Sequence, residues 1–155
     1  MISNQKPTAA REYALKFLYQ MVSSKIEIPM EEIEDALTVF HKSYTEEDPD
    51  HLDNNLNENM LVFAKKLISH TIENYAEVME IIKSHLKGWK LENVDKVDLT
   101  ILLLGVTEMK YIKKTPVKVV INESVNMARK YGKNESFSFV NGIMDSIAKK
   151  IRVQK

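Results

Sequence analysis

The sequence predicts an all-α protein of about seven helices in two groups, three followed by four. Apolar residues recur three or four positions apart along most of the chain, which is the period of one helix face. The 155 residues include only four glycines and four prolines, and almost all stand where a helix would begin or end. No stretch shows the alternation of a half-buried strand, and the strand–helix alternation of α/β proteins is absent.

The first group contains three amphipathic helices. The first runs from Thr8, a residue type favoured as an N-cap, to about Ser23. The second follows Pro29 and the third ends near Ile72. The acidic, asparagine-rich segment from Thr45 to Asn59 contains a proline and is predicted to be a loop. The three apolar stripes are Ala10, Tyr13, Ala14, Phe17, Leu18 and Met21; Ile33, Ala36, Leu37 and Phe40; and Leu61, Phe63, Ala64, Leu67, Ile68 and Ile72.

The second group begins with a helix that ends near Gly88. The next segment, Asn93 to Ile112, is apolar around nearly its whole circumference, which predicts a helix buried on most sides. A sixth helix follows, with Thr115 as N-cap, Pro116 as first helical residue and Gly132 as a left-handed C-cap. The seventh opens near Asn134, and its predicted buried stripe is Phe137, Val140, Met144, Ile147 and Ile151.

Composition excludes several classes of protein. The chain has no cysteine, so disulfides and thiolate chemistry are absent. No run approaches the roughly 20 apolar residues of a membrane span, and the amino terminus lacks a signal core. We therefore expect a cytoplasmic protein with no membrane association. The four histidines are not spaced as metal ligands, no glycine-rich phosphate loop occurs, and we expect no enzymatic activity, cofactor or metal.

The net charge is zero, but the charges are unevenly distributed. Residues 26–60 contain eleven acidic residues and one basic residue, whereas residues 81–155 contain fifteen basic and seven acidic residues. The first 25 residues add four basic residues and one acidic residue. This asymmetry is compatible with a surface that binds a polyanion and also with ordinary solvated helix faces.

Three residues have open interpretations. Phe139 lies at the edge of the last helix's buried stripe, where it either stacks on an unpaired base or packs under a loop. Gly142 faces outward on the same helix, so either something approaches its backbone closely or the helix tolerates one weak position. Glu108 lies close to the Ile101 face of the predicted buried helix, so its carboxylate is expected to be partly buried. A buried carboxylate needs a partner, and a salt bridge or a helix-end contact is favoured over a catalytic role.

Three segments together resemble the NusB family. They are AREYALKFLYQ, WKLENVDKVDLTILLLGVTEM and TPVKVVINESVNMARKYGKNESFSFVNGIMDSIAKKI, and the pairing of INE with FVNG is the most specific feature. The resemblance extends from about Lys6 to Ile151. It implies a NusB-like fold over residues 1–155, with helical subdomains at 8–72 and 73–152.

The resemblance also implies a function and contact residues. The family binds boxA-type RNA with the ribosomal protein NusE and joins an RNA polymerase antitermination complex that supports ribosomal RNA transcription. Asp98 matches a position that faces the protein partner. The RNA-binding residues implied by the resemblance, together with basic neighbours of the same surfaces, are Lys6, Arg11, Lys16, Lys118, Lys133, Glu135 and Phe139.

Departures from the family pattern leave alternatives open. The arm has few basic residues, and Ser138 stands where a basic residue is common. Leu99 and Leu103 replace basic residues, so they are expected to widen an apolar partner surface, with a homodimer as one outcome. Fewer phosphate contacts weaken RNA binding. The chain could therefore instead be a helical protein-interaction module, or an accessory subunit of a separate ribosomal RNA methyltransferase, with little RNA binding of its own.

Overall fold

A computed structural model describes residues 7–47 and 56–153. The chain divides into two compact units, Met1–Glu73 and Asn74–Lys155. All regular structure within the described ranges is helical, which confirms the predicted fold class. None of the helices in these ranges has the length and apolarity needed to cross a bilayer. Lys6 and most of the predicted acidic loop lie outside the described residues.

The first unit contains α1 (Pro7–Ser24), a 3₁₀ turn (Met30–Glu32), α2 (Ile33–Glu47) and α3 (Glu58–Glu73). Helix α1 packs along α3. Both ends of the predicted loop are helical, because α2 continues through Glu47 and Asn57 caps α3. The Asn57 Oδ1 atom accepts a hydrogen bond from the Met60 amide at 2.9 Å, which satisfies a donor that the first helical turn leaves unpaired. Aromatic rings of α1 and α2 pack edge to face; they belong to Tyr13, Phe17, Phe40 and Tyr44.

The second unit contains α4 (Tyr75–Ser84), a 3₁₀ turn (Leu91–Asn93), α5 (Lys96–Thr107), a π-helical turn (Glu108–Ile112), α6 (Val117–Tyr131) and α7 (Ser136–Val153). Helix α5 packs against α4, α6 and α7. Every α5 residue from Asp98 to Thr107 is buried, which confirms the helix buried on most sides. The predicted single helix is interrupted at both ends, because Asp95 caps α5 and the last turn widens into the π form.

Close packing around α5 depends on Gly105. A Cβ atom at this position would lie 2.6 Å from the Met144 side chain of α7 and 2.7 Å from the Ser124 hydroxyl of α6. Both distances are shorter than van der Waals contact allows. The absence of a side chain therefore lets α6 and α7 approach the α5 backbone directly.

Two predicted details of α6 are wrong. Pro116 has an extended ψ of 139° and serves as the N-cap, so the helix begins one residue later, at Val117. Gly132 is extended, with φ −90° and ψ −170°, and is not a left-handed cap. Its glycine identity has another cause, since a Cβ atom there would lie 2.6 Å from the Cβ atom of Ser136. Close approach of two turns therefore explains this glycine.

We expect Gly105→Ala to lower the free energy of unfolding by about 1–3 kcal/mol, the usual cost of overpacking a core. Urea unfolding followed by circular dichroism would measure the loss. Gly142→Ala is the matched control, because an added Cβ atom meets nothing within 4 Å at that helical position. A G105A variant as stable as the unmodified chain would contradict the packing described for α5.

Candidate nucleic-acid interface

The turn that leads into α7 holds two predicted RNA-contact residues at the surface. Ser136 is 3% exposed, and its hydroxyl accepts a hydrogen bond from the Lys133 amide at 2.9 Å. This bond closes the turn before the first residues of the helix. The Lys133 side chain is 83% exposed, and Glu135 is exposed as well. The turn therefore presents one cation and one carboxylate to solvent.

A charged cluster links this turn to the start of α5. The Lys133 Nζ atom lies 3.2 Å from Asp95 Oδ2, and the Asp98 carboxylate is hydrogen-bonded to Ser136. Asp98 is buried, and its Oδ1 atom has no hydrogen-bond partner. Burial raises the pKa of Asp98, and repulsion from Asp95 adds to the effect, whereas the Ser136 hydrogen bond and Lys133 oppose it. Asp98 is therefore the buried member of the cluster, and Asp95 and Lys133 are the members that reach solvent.

Phe139 lies beside an exposed tryptophan whose proximity is not evident from the sequence. The Phe139 ring is half-buried, and its centroid lies 5.7 Å from that of Trp89 with the planes inclined by 62°. Trp89 is 58% exposed. The contact joins α7 to the connection between α4 and α5, so periodicity within one helix could not reveal it. The available signal was a tryptophan between two lysines, Lys87 and Lys90, just after a glycine.

The prediction that Phe137 is buried is wrong. Its side chain is 38% exposed, and the Arg129 guanidinium lies over its ring at 4.8 Å. Helix α7 begins at Ser136, so the small serine occupies the buried position at its start and Val140 is the first large apolar residue of the stripe to be buried. Of the two phenylalanines at the start of α7, only Phe139 is paired with Trp89.

Lys118 is not close to the residues at the start of α7. It is exposed in the first turn of α6, whereas the Lys133 turn follows the last residue of that helix. The fifteen residues of α6 span roughly 22 Å at 1.5 Å per residue. Because the short connection makes α6 and α7 antiparallel neighbours, Lys118 belongs to the end of the pair where α7 finishes.

The basic residues of the first unit are less available than the sequence suggested. Arg11 is only 4% exposed, and its guanidinium lies over the Phe63 ring at 5.4 Å. Lys16 is half-buried, with its Nζ atom 5.2 Å from the centre of the Tyr44 ring. Both cations lie over aromatic rings of their own unit, and Arg11 is not presented to a phosphate. Lys6 lies outside the described residues.

The expectation that Leu99 and Leu103 line an apolar partner surface needs correction. Their side chains are 2% and 0% exposed, because both belong to the helix that is buried all round. They cannot contact a partner from there. These two leucines therefore give no support to a homodimer. Across residues 7–47 and 56–153, no group of three or more histidine or acidic side chains could hold a metal ion.

Comparisons with known proteins extend over both units. The model of the NusB family matches residues 8–149. The transcription antitermination protein NusB of Macrococcus caseolyticus is 35% identical over 142 residues, which are 92% of this chain and 95% of that protein. The structure of T. maritima NusB has a TM-score of 0.78 at 27% identity, over 96% of this chain and 94% of that one. A structure of antitermination factors NusB and NusE in complex with double-stranded RNA has a TM-score of 0.73 at 26% identity, over 92% and 96% of the two chains.

The raised pKa of Asp98 predicts a pH-dependent gain in stability for Asp98→Asn. A carboxyl whose pKa is higher in the folded state stabilises that state most when it is protonated, and this stabilisation is lost as the pH rises from 3.8 through the folded pKa. At pH 7 the variant should therefore unfold at a higher temperature than the unmodified chain, and the difference should vanish below the ordinary pKa. Thermal unfolding across this range would measure it. The exposed Asp145→Asn is the control, and an equal gain there would contradict the explanation.

Proposed function

Because this chain belongs to the NusB family, we propose that it acts as a transcription antitermination factor that binds boxA-type RNA together with the ribosomal protein NusE. In this role it works in the cytoplasm as part of an RNA polymerase antitermination complex that supports ribosomal RNA transcription. Its contribution is binding, without a catalytic step. One structural observation supports the proposal most. The half-buried ring of Phe139 lies beside Trp89 and follows the turn that exposes Lys133.

The start of α7 combines the two contacts that single-stranded RNA requires. An aromatic ring stacks on an unpaired base, and cations meet the backbone phosphates. Phe139 provides the ring, and the exposed Lys133 provides a cation at the preceding turn. Lys118 adds a positive charge at the other end of the α6–α7 pair. Glu135, which is exposed two residues after Lys133, adds a carboxylate beside the proposed RNA surface.

Asp98 has a separate part in the proposal, in the contact with the protein partner. The solved relative of this fold that contains NusE shows that a NusB chain forms such a pair. In this chain Asp98 is buried, so we propose that it supports the partner surface by holding Ser136, whose hydroxyl closes the turn before α7. Asp98→Asn should then weaken NusE binding although the fold gains stability at neutral pH.

A second candidate is a helical interaction module with little RNA affinity of its own. The burial of Arg11 and the partial burial of Lys16 favour it, because the first unit then offers fewer cations to RNA. Under this alternative NusE binding persists, and RNA neither binds the chain nor strengthens the complex. A titration with boxA-type RNA in the presence and absence of NusE separates the two functions.

We expect Phe139→Ala to weaken binding of boxA-type RNA to the chain with NusE about tenfold, since one base stack contributes about 1–3 kcal/mol. Fluorescence anisotropy of a labelled RNA would measure the affinity. Phe137→Ala is the matched control, because Phe137 also lies in the first turn of α7 but its ring contacts Arg129 and not Trp89. Equal effects of the two substitutions, with both folds intact, would argue against stacking on Phe139.

A further inference from the structure

Trp89 is exposed in a place where its own unit gives it little cover. It is the only tryptophan of the chain, and 58% of it is accessible to solvent. Its ring contacts that of Phe139, with the two ring planes inclined to each other. Large aromatic rings are usually buried, so an exposed tryptophan next to a proposed base-stacking residue indicates a binding surface.

The backbone before Trp89 holds the indole in place. Gly88 has a φ of +84°, a conformation that residues with a side chain rarely adopt, and the chain turns sharply there after α4. The Trp89 amide donates a hydrogen bond to the Leu86 carbonyl at 2.6 Å. This turn places the indole against α7. The turn thus fixes the backbone of Trp89, and the contact with Phe139 positions its ring beside α7.

A basic groove lies along α7, on the helix face that also carries Phe139. It has a volume of about 560 Å³ and is lined by Lys87, Gly142, Asp145, Ser146, Lys149 and Lys150. Lys87 stands two residues before Trp89. Phe139, Gly142, Ser146 and Lys149 are spaced three, four and three residues apart, so they share one face of the helix. From Phe139 to Lys150 this face extends roughly 16 Å.

Gly142 keeps the floor of this groove open. It lies in the interior of an 18-residue helix, where glycine is less favourable than alanine, and an added Cβ atom would meet nothing within 4 Å. Packing within the described residues therefore does not require glycine here. A ligand that approaches the helix backbone would require it.

We propose that the Trp89 surface, made of Lys87, Trp89, Gly142, Ser146, Lys149 and Lys150, binds a stretch of single-stranded RNA that flanks the segment held at Phe139. A base stacks on the indole, and the lysines bind the phosphates that pass over Gly142. The inference rests on the proposed function and extends it to a second set of contacts. The charge favours RNA over a protein partner, because three lysines and one acidic residue, Asp145, line the groove.

Asp145 does not block a phosphate from this groove. Its Oδ2 atom lies 3.1 Å from Lys149 Nζ, and both side chains are more than half exposed. Such exposed pairs are weak and are screened by salt. A phosphate can therefore replace the carboxylate as the partner of Lys149, and Lys87 and Lys150 also line the groove.

The test uses boxA-type RNA extended by unpaired nucleotides, with the full chain and NusE. We expect Trp89→Ala to weaken binding about tenfold, Trp89→Phe to retain most of the affinity, and Phe137→Ala to have no effect. The emission of Trp89 should be quenched as RNA saturates the complex, with the Trp89→Phe complex as background.

The Lys149→Ala/Lys150→Ala variant should lower the salt slope of binding by roughly 1.4, since each phosphate contact on a single strand contributes about 0.7. Lys66→Ala, on α3, is the charge control.

Gly142→Ala separates binding from stability. Alanine should raise the melting temperature, because it favours the helix and meets no neighbour, and it should weaken binding of the extended RNA severalfold. The inference is overturned if the unmodified chain binds this RNA while Trp89→Ala and Gly142→Ala bind it equally well. Absence of RNA binding by the unmodified chain with NusE would overturn the proposed function, and this inference with it.

Discussion

The second unit depends on the contact of two helices with the backbone of α5 at Gly105. Since no side chain separates them, the side chains of Met144 and Ser124 reach this backbone directly, and α7 and α6 pack together against a helix that is buried all round. The position of α7 then determines where Phe139 emerges. The connection that precedes α5 brings Trp89 to the same place. Packing of α7 on α5 and the connection before α5 thus bring the two aromatic rings together at the surface.

The helices could be predicted from the sequence because apolar spacing and capping residues are local signals. What local signals could not give was the neighbour of each surface position. Phe137 fits the apolar period of α7, yet it is exposed, because the buried stripe begins at Ser136 and continues at Val140. Gly132 was assigned to a left-handed cap, whereas its cause is the approach of Ser136 across the turn.

The same limit applies to the candidate site. Arg11 and Leu103 were selected by position in the family pattern, but burial decides what they can touch, and burial is set by the packed unit. Trp89 was missed because its importance comes from Phe139, fifty residues later in the chain. Lys133, Glu135 and Phe139 remain proposed contacts, and the structure adds that they lie in the turn before α7 and in its first turn, while Lys118 lies at the other end of the α6–α7 pair.

We propose that RNA binding belongs mainly to the second unit, where exposed lysines and two aromatic rings occur together. Photocrosslinking with boxA-type RNA that carries 4-thiouridine tests this assignment most directly, because mass spectrometry identifies the peptides that touch the bases. With NusE present, the crosslinks should fall on the peptides that contain Trp89 and Phe139. Crosslinks confined to residues 1–73 would contradict the assignment.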